Sequence, residues 1–270
     1  GVAYSIDSAA APTIKIPSAS GEPEVRFVFN DESVYYLPIG EGNVASISSD
    51  YTVKGNPSST FKVRVQLKDK AQASDVWFDS PKSNNLTLTD GGFWFPAEEI
   101  NQVKEYFSIW LRIGSSKAVE VDYTVSLYQS EDLTAKPMDT IEKKAVFVAG
   151  EDFPVMPSLP SLRRELNTVV PCTFSIKPGF LQGKAAVVRL YLDNYYPGDL
   201  IISGEGWQQT KYDNVYEYHI DRWTQDEITV NFKATRQFGG RYNMHLCDGE
   251  GNYVEGTGKA VLQFPANLSN

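Results

Sequence analysis

Polar and apolar residues alternate with a period of two along most of the chain, a pattern that predicts strands rather than helices. Over Phe61-Lys62-Val63-Arg64-Val65-Gln66-Leu67-Lys68, the residues Phe61, Val63, Val65 and Leu67 share one face and the other face is polar. Residues 119–127 repeat the alternation through Val119, Val121, Tyr123, Val125 and Leu127, and 228–234 through Ile228, Val230, Phe232 and Ala234. Residues 186–192 alternate more loosely. One dry face and one wet face mark antiparallel strands laid over a core. Weaker strand signals fall at 14–16, 25–29, 34–39, 44–48, 86–88, 108–113, 145–148, 200–203, 215–220 and 260–264. One short helix fits the pattern: Pro96 at its first position, Glu98 and Glu99 in the first turn, and Ile100, Val103 and Phe107 on one face. An extended connector into the 108–113 strand fits the same residues.

The connectors are short and rich in turn formers, as in Gly40-Glu41-Gly42-Asn43, Lys54-Gly55-Asn56-Pro57, Asp90-Gly91-Gly92 and Asp248-Gly249-Glu250-Gly251-Asn252. Many short strands with frequent turn signals specify an all-β sandwich or barrel. A chain of 270 residues exceeds one small sandwich, which predicts two antiparallel β-sandwich domains in tandem. The boundary is set by Pro154, Pro157 and Pro160, since prolines so close together propagate no ladder. The expected organisation is a flexible leader at 1–13, an N-terminal sandwich at 14–149, a Pro-rich linker at 150–160 and a C-terminal sandwich at 161–270. Both sandwiches end alike, on Lys144-Ala145-Val146-Phe147 and Lys259-Ala260-Val261-Leu262.

Charge narrows the partners. The net charge is −9 and neither half carries a basic stripe, which argues against nucleic acid and anionic membrane surfaces. No apolar run approaches the ~20 residues of a transmembrane helix. The chain opens Gly1-Val2-Ala3-Tyr4, and its small, polar first 13 residues suit an exported protein whose signal has been trimmed, with a truncated cytosolic protein the competing account. Cys172 and Cys247 are the only cysteines. Cys172 shares an apolar face with Phe174 and Ile176, whereas Cys247 points away from Tyr242, Met244 and Leu246. The expectation is therefore no disulfide, and two thiols of which one is buried.

The parts that catalysis requires are scarce. His219 and His245 stand in separate strands, each on the more polar face, and read as exposed strand histidines. No nucleophile elbow, phosphate-binding loop, zinc-protease helix motif or paired-cysteine motif occurs. Paired carboxylates for glycoside hydrolysis remain a third reading, with Glu205, Asp213 and Asp221 the acids nearest aromatic rings. The expectation is a protein that is not an enzyme, with no cofactor and no metal site. The loop Asp193-Asn194-Tyr195-Tyr196-Pro197-Gly198-Asp199 misses the calcium-hand spacing.

Aromatic density is the feature that points to binding. Tyr191, Tyr195, Tyr196, Trp207, Tyr212, Tyr216, Tyr218 and Trp223 fall within 191–223. Rings beside turns stack on the flat C–H faces of sugars, while Gln208, Gln209, Asp213, Asn214 and Arg222 can bond hydroxyls; core packing is the competing account of the same rings. The expected binding residues are Trp207, Tyr195, Tyr196, Trp223, Tyr212, Asp213 and Gln209. A second cluster, Phe93-Trp94-Phe95 with Trp77, reads as core.

The small-residue leader, acidic balance, tandem sandwiches and Tyr-rich loops resemble the surface lipoproteins of Bacteroidetes, built of immunoglobulin-like domains. Phe93-Trp94-Phe95-Pro96-Ala97 is similar to a strand–F-x-x-P-A–strand arrangement in such families. The resemblance implies an exported protein at the periplasm or outer-membrane surface, lipid-anchored through a segment ahead of residue 1. The lipid-attachment cysteine of such proteins is absent here, and no binding residue transfers. The leading expectation is a surface protein that binds polysaccharide or oligosaccharide. A structural, adhesive or pilus-like module with a surface protein partner, using 1–16 as a displaceable strand, is the alternative.

Overall fold

The computed structural model describes residues 33–40, 45–52, 62–96, 101–103, 106–194, 198–225 and 227–267. The strand signals at 14–16 and 25–29, and the leader, lie outside these. In chain order the first strands are β1 (Val34–Pro38), β2 (Ala45–Thr52), β3 (Lys62–Leu67), β4 (Val76–Asp79) and β5 (Gly92–Trp94). They are followed by β6 (Asn101–Val103), β7 (Tyr106–Ser115), β8 (Val119–Tyr128) and β9 (Asp139–Val148). The next run is β10 (Leu162–Arg163), β11 (Val170–Ser175), β12 (Ala186–Asp193), β13 (Leu200–Ser203) and β14 (Trp207–Gln209). The last are β15 (Val215–Ile220), β16 (Glu227–Ala234), β17 (Phe238–Asp248), β18 (Tyr253–Gly256) and β19 (Ala260–Phe264).

These strands build the same topology twice. One sheet runs β1-β9-β8-β3-β5 and its later counterpart β10-β19-β17-β12-β15-β14. The facing sheets run β2-β7-β4 and β11-β16-β13. In both repeats the first strand lies parallel to the last, β1 on β9 and β10 on β19, while the other ladders are antiparallel. In both, the chain leaves β3 or β12, visits the edge of the facing sheet as β4 or β13, and returns to the first sheet, where β5 pairs β3 and the β14–β15 hairpin pairs β12 through β15. The fold is all-β, of immunoglobulin type, with alternate residues of strands such as β8, β11 and β16 pointing between the sheets.

Two apolar clusters fill the repeats. Val63, Val65 and Leu67 meet Val121, Tyr123, Val125 and Leu127 in the first. Val188, Leu190 and Leu192 meet Ile228, Val230, Phe232, Tyr242, Met244 and Leu246 in the second. The similar endings are similar in use, for Ala145 and Phe147 are buried in one cluster and Ala260 and Leu262 in the other.

Several expectations need correction. No helix spans the described part of 96–107; Asn101–Val103 pairs antiparallel with Tyr106–Ser115 instead. The β7 backbone also pairs β2 across eight residues, a ladder that a short helix cannot match. Residues 86–88 form no strand. Both thiols are buried, not one: Cys172 faces the core and Cys247 lies outside it on the far side of β17, and no disulfide joins them. The Pro-rich segment forms a 3-10 turn at Gly150–Asp152 and a single bridge from Val155 to Lys177. Phe153, Met156 and Leu159 pack against the second core, and Tyr242 donates its hydroxyl hydrogen to the Pro160 carbonyl.

Candidate functional site

The outward face of β12 carries Arg189 and Tyr191, because Val188, Leu190 and Leu192 claim the core side. Register sets Arg189 between Glu217 of β15 and His245 of β17. Arg189 Nε donates to Glu217 Oε1 at 2.7 Å, and Glu217 Oε2 meets His219 Nε2 at 3.0 Å. Burial pushes the Glu217 carboxyl up, but the hydrogen bond and charge of Arg189, with His219 beside it, outweigh burial and hold it below the usual carboxylate range. His245 lies between the rings of Tyr191 and Tyr253, at centroid distances of 4.6 and 5.0 Å.

Beside this row is a shallow depression of about 350 Å³ lined by Arg189, Tyr191, Thr210, Lys211, Tyr212, Val215 and Glu217. The β14–β15 turn forms its rim. Thr210 Oγ1 accepts from the Tyr212 amide at 3.1 Å, and Gln209 Nε2 donates to the Asp213 carbonyl at 3.0 Å. These local bonds fix the turn and leave the Tyr212 ring 58% exposed, with the Lys211 ammonium 5.0 Å from its centroid. A half-buried ion pair, flat rings and exposed donors thus converge on one concave surface.

The expected residues divide. Tyr212, Asp213 and Gln209 come together at this rim. Tyr195 and Tyr196 lie outside the described residues. Trp207 is half-buried away from the depression: its ring packs on Tyr218 at 5.6 Å and Nε1 donates to the Thr229 carbonyl at 2.9 Å, so it closes the gap between the two sheets. Trp223 is fully buried, 0% exposed, with Nε1 donating to the Gln225 carbonyl. It plugs the core and cannot stack on a ligand, which corrects the expectation of a displayed ring. His245 is half-buried rather than exposed, whereas His219 is exposed. Phe93 and Phe95 are core, but Trp94 lies half-buried on the outer face, over Arg64 and edge-on to Tyr128. Trp110, 49% exposed on β7, is a further displayed ring.

Arg189, Glu217, His245 and Tyr253 are the members that single residues did not announce. Alternation in β12 places Arg189 and Tyr191 outward, but only cross-strand register adds the rest.

No family model matches this chain, and no curated protein is similar to it. Solved structures match it at low likeness. CBD12 from CALX1.2 is 10% identical over 82% of this chain and 79% of its own, at a TM-score of 0.27. The D00-D0 domain of intimin is 9% identical over 86% and 95%, at 0.25. The N-terminal Ig1-2 module of the Drosophila receptor protein tyrosine phosphatase DLAR is 12% identical over 91% and 96%, at 0.26. At these scores none of them bears on activity, and the class rests on strand order: an all-β chain with the immunoglobulin-type sandwich built twice.

Proposed function

We propose that this protein is an exported, non-catalytic surface module of two domains, divided at the Pro-rich segment, that binds polysaccharide on the outer face of its C-terminal sheet. The observation that carries the reading is the depression between Tyr191 and Tyr212, floored by the Arg189–Glu217 pair. Rings offer apolar faces to sugar C–H groups, and a fixed ion pair offers both donors and acceptors to hydroxyls. Glu217 is the one carboxylate among the described residues lining it, and it is held ionised, so it is poorly suited to donate a proton as a glycosidase acid must. Placement at the surface of a Bacteroidetes-type cell, with a lipid anchor ahead of residue 1, follows the resemblance in the leader and loops. No helix among the described residues is long and apolar enough to cross a membrane.

The test is a polysaccharide panel probed with the native protein and with Tyr191→Ala and Tyr212→Ala. Binding weakened by about tenfold or more in both, at unchanged thermal stability, is the expected result. Binding that both variants retain in full would remove this face from the reading.

An adhesive alternative draws on a different surface. Among the described residues β13 pairs only with β16, and Ile201 on it is exposed. An open edge of this kind accepts a partner strand. Loss of partner binding on Ile201→Lys, with the sugar face untouched, would favour it.

A further inference from the structure

Asp248 ends β17 and is buried. Its Oδ1 accepts from the Glu250 and Asn252 amides, each at 2.9 Å, and its Oδ2 from Asn252 Nδ2 at 2.8 Å. These three bonds come from its own turn. The fourth comes from the other repeat: Tyr36 of β1, 212 residues away, donates its hydroxyl hydrogen to Oδ2 at 2.8 Å. The Tyr36 ring is held in place by stacking on Phe180, centroid to centroid 5.0 Å at 24°. Burial, then the hydrogen bond to Asp248, pushes the Tyr36 hydroxyl far above the ordinary tyrosine range, so it stays a donor.

The same turn reaches the binding face. Gly251 has φ +88°, a conformation that favours glycine, and it brings the turn backbone up to the Arg189 guanidinium. Its carbonyl accepts from Arg189 Nη1 at 3.1 Å, while Arg189 Nε holds Glu217. An unbroken chain of hydrogen bonds and short turn backbone therefore runs from Tyr36 through Asp248 and Gly251 to Arg189 and Glu217. We propose that Tyr36 and Asp248 are positioning residues: the N-terminal sandwich sets the 248–252 turn, and the turn preorganises Arg189 for ligand. The structural half stands by itself, and only the ligand half rests on the polysaccharide reading. A guanidinium already fixed at two points loses less freedom on binding, which is where the gain in affinity arises.

Tyr36→Phe removes one O–H and keeps the ring on Phe180. Without ligand, proton exchange at Arg189 Nε and at the Asn252 amide, followed by NMR, is expected to quicken by about two- to tenfold, the range one net hydrogen bond supports. Asp248→Asn is expected to act in the same direction, and Lys68→Gln, an exposed ion-pair residue on the first repeat, to leave both rates alone. With a polysaccharide that passed the panel, Tyr36→Phe is expected to weaken binding by a similar factor, and less so in an Arg189→Lys background. Unchanged exchange at Arg189 in both Tyr36→Phe and Asp248→Asn overturns the proposal. Quickened exchange with no polysaccharide bound supports the relay and sinks the sugar reading instead.

Discussion

His245 shows how far a single residue can be read. Its strand position places it on the polar face, and polarity alone predicts exposure. Tyr191 from β12 and Tyr253 from β18 close over it as diagonal neighbours, the positions directly opposite being Arg189 and Gly256, and register is a property of strand pairs. Burial, and then the nearby Arg189 charge, lower its pKa. The folded protein therefore favours neutral imidazole over the unfolded chain. That contribution is complete above the unfolded value of about 6.5 and is lost as pH falls through it toward the folded value. We expect the native protein to lose stability relative to His245→Gln when the pH is lowered from about 7.5 to 5.5. Urea midpoints at each pH measure this, and parallel slopes for the two proteins would contradict it. Trp223 carries the opposite lesson. A ring beside a turn is open to two readings, and the core takes it: Gly183 and Lys184 pair the Trp223 backbone from the neighbouring turn, and the indole is fully buried.

At the scale of elements, strands with clean alternation were legible, and of the shortest ones Leu200–Ser203 was signalled while others were not. The alternation over 62–67, 119–128 and 227–234 gives strands wherever it is clean. The strands at 76–79, 207–209 and 253–256 have four residues or fewer, too few to establish a period. The helix expected from Pro96 failed because Ile100, Val103 and Phe107 satisfy a helical spacing while Ile109, Leu111 and Ile113 satisfy a strand. The long ladder with β2 decides between them. Turn glycines were legible as turns but not as packing devices. Gly206 has φ +86°, and a Cβ on it would lie 2.6 Å from the Tyr218 ring that Trp207 packs against. Gly206→Ala is expected to cost about 1–3 kcal/mol through backbone strain and ring displacement. Glu205→Ala, on the neighbouring exposed residue, should stay within about 0.5 kcal/mol. Denaturant titration of the two variants checks the contrast, and equal effects would show that the turn yields without strain.

At the scale of the whole molecule, the duplication was visible only as two similar endings, yet it governs everything described above. The prolines at 154, 157 and 160 suggest a spacer, since proline stiffens an extended chain. Instead the segment lays Phe153, Met156 and Leu159 against the second core, and Phe153 meets Phe180, the ring on which Tyr36 stacks. First repeat, Pro-rich segment and second repeat therefore meet at the rings of Tyr36, Phe153 and Phe180 and at the part-buried Tyr36–Asp248 hydrogen bond. Neither is readable from the sequence, because Asp248 is already bonded within its own turn and nothing near Tyr36 in the chain points to a partner 212 residues away. Such a contact couples unfolding of the two sandwiches if its free energy is comparable with the difference between their stabilities. We expect scanning calorimetry to give one transition for the native protein. A Tyr36→Ala, Phe180→Ala double variant, stripped of both ring and hydroxyl, should resolve into two, with the lower transition moved down by several degrees. Two transitions already present in the native protein would mean that the sandwiches unfold independently and that the shared contact orients them without coupling their stabilities.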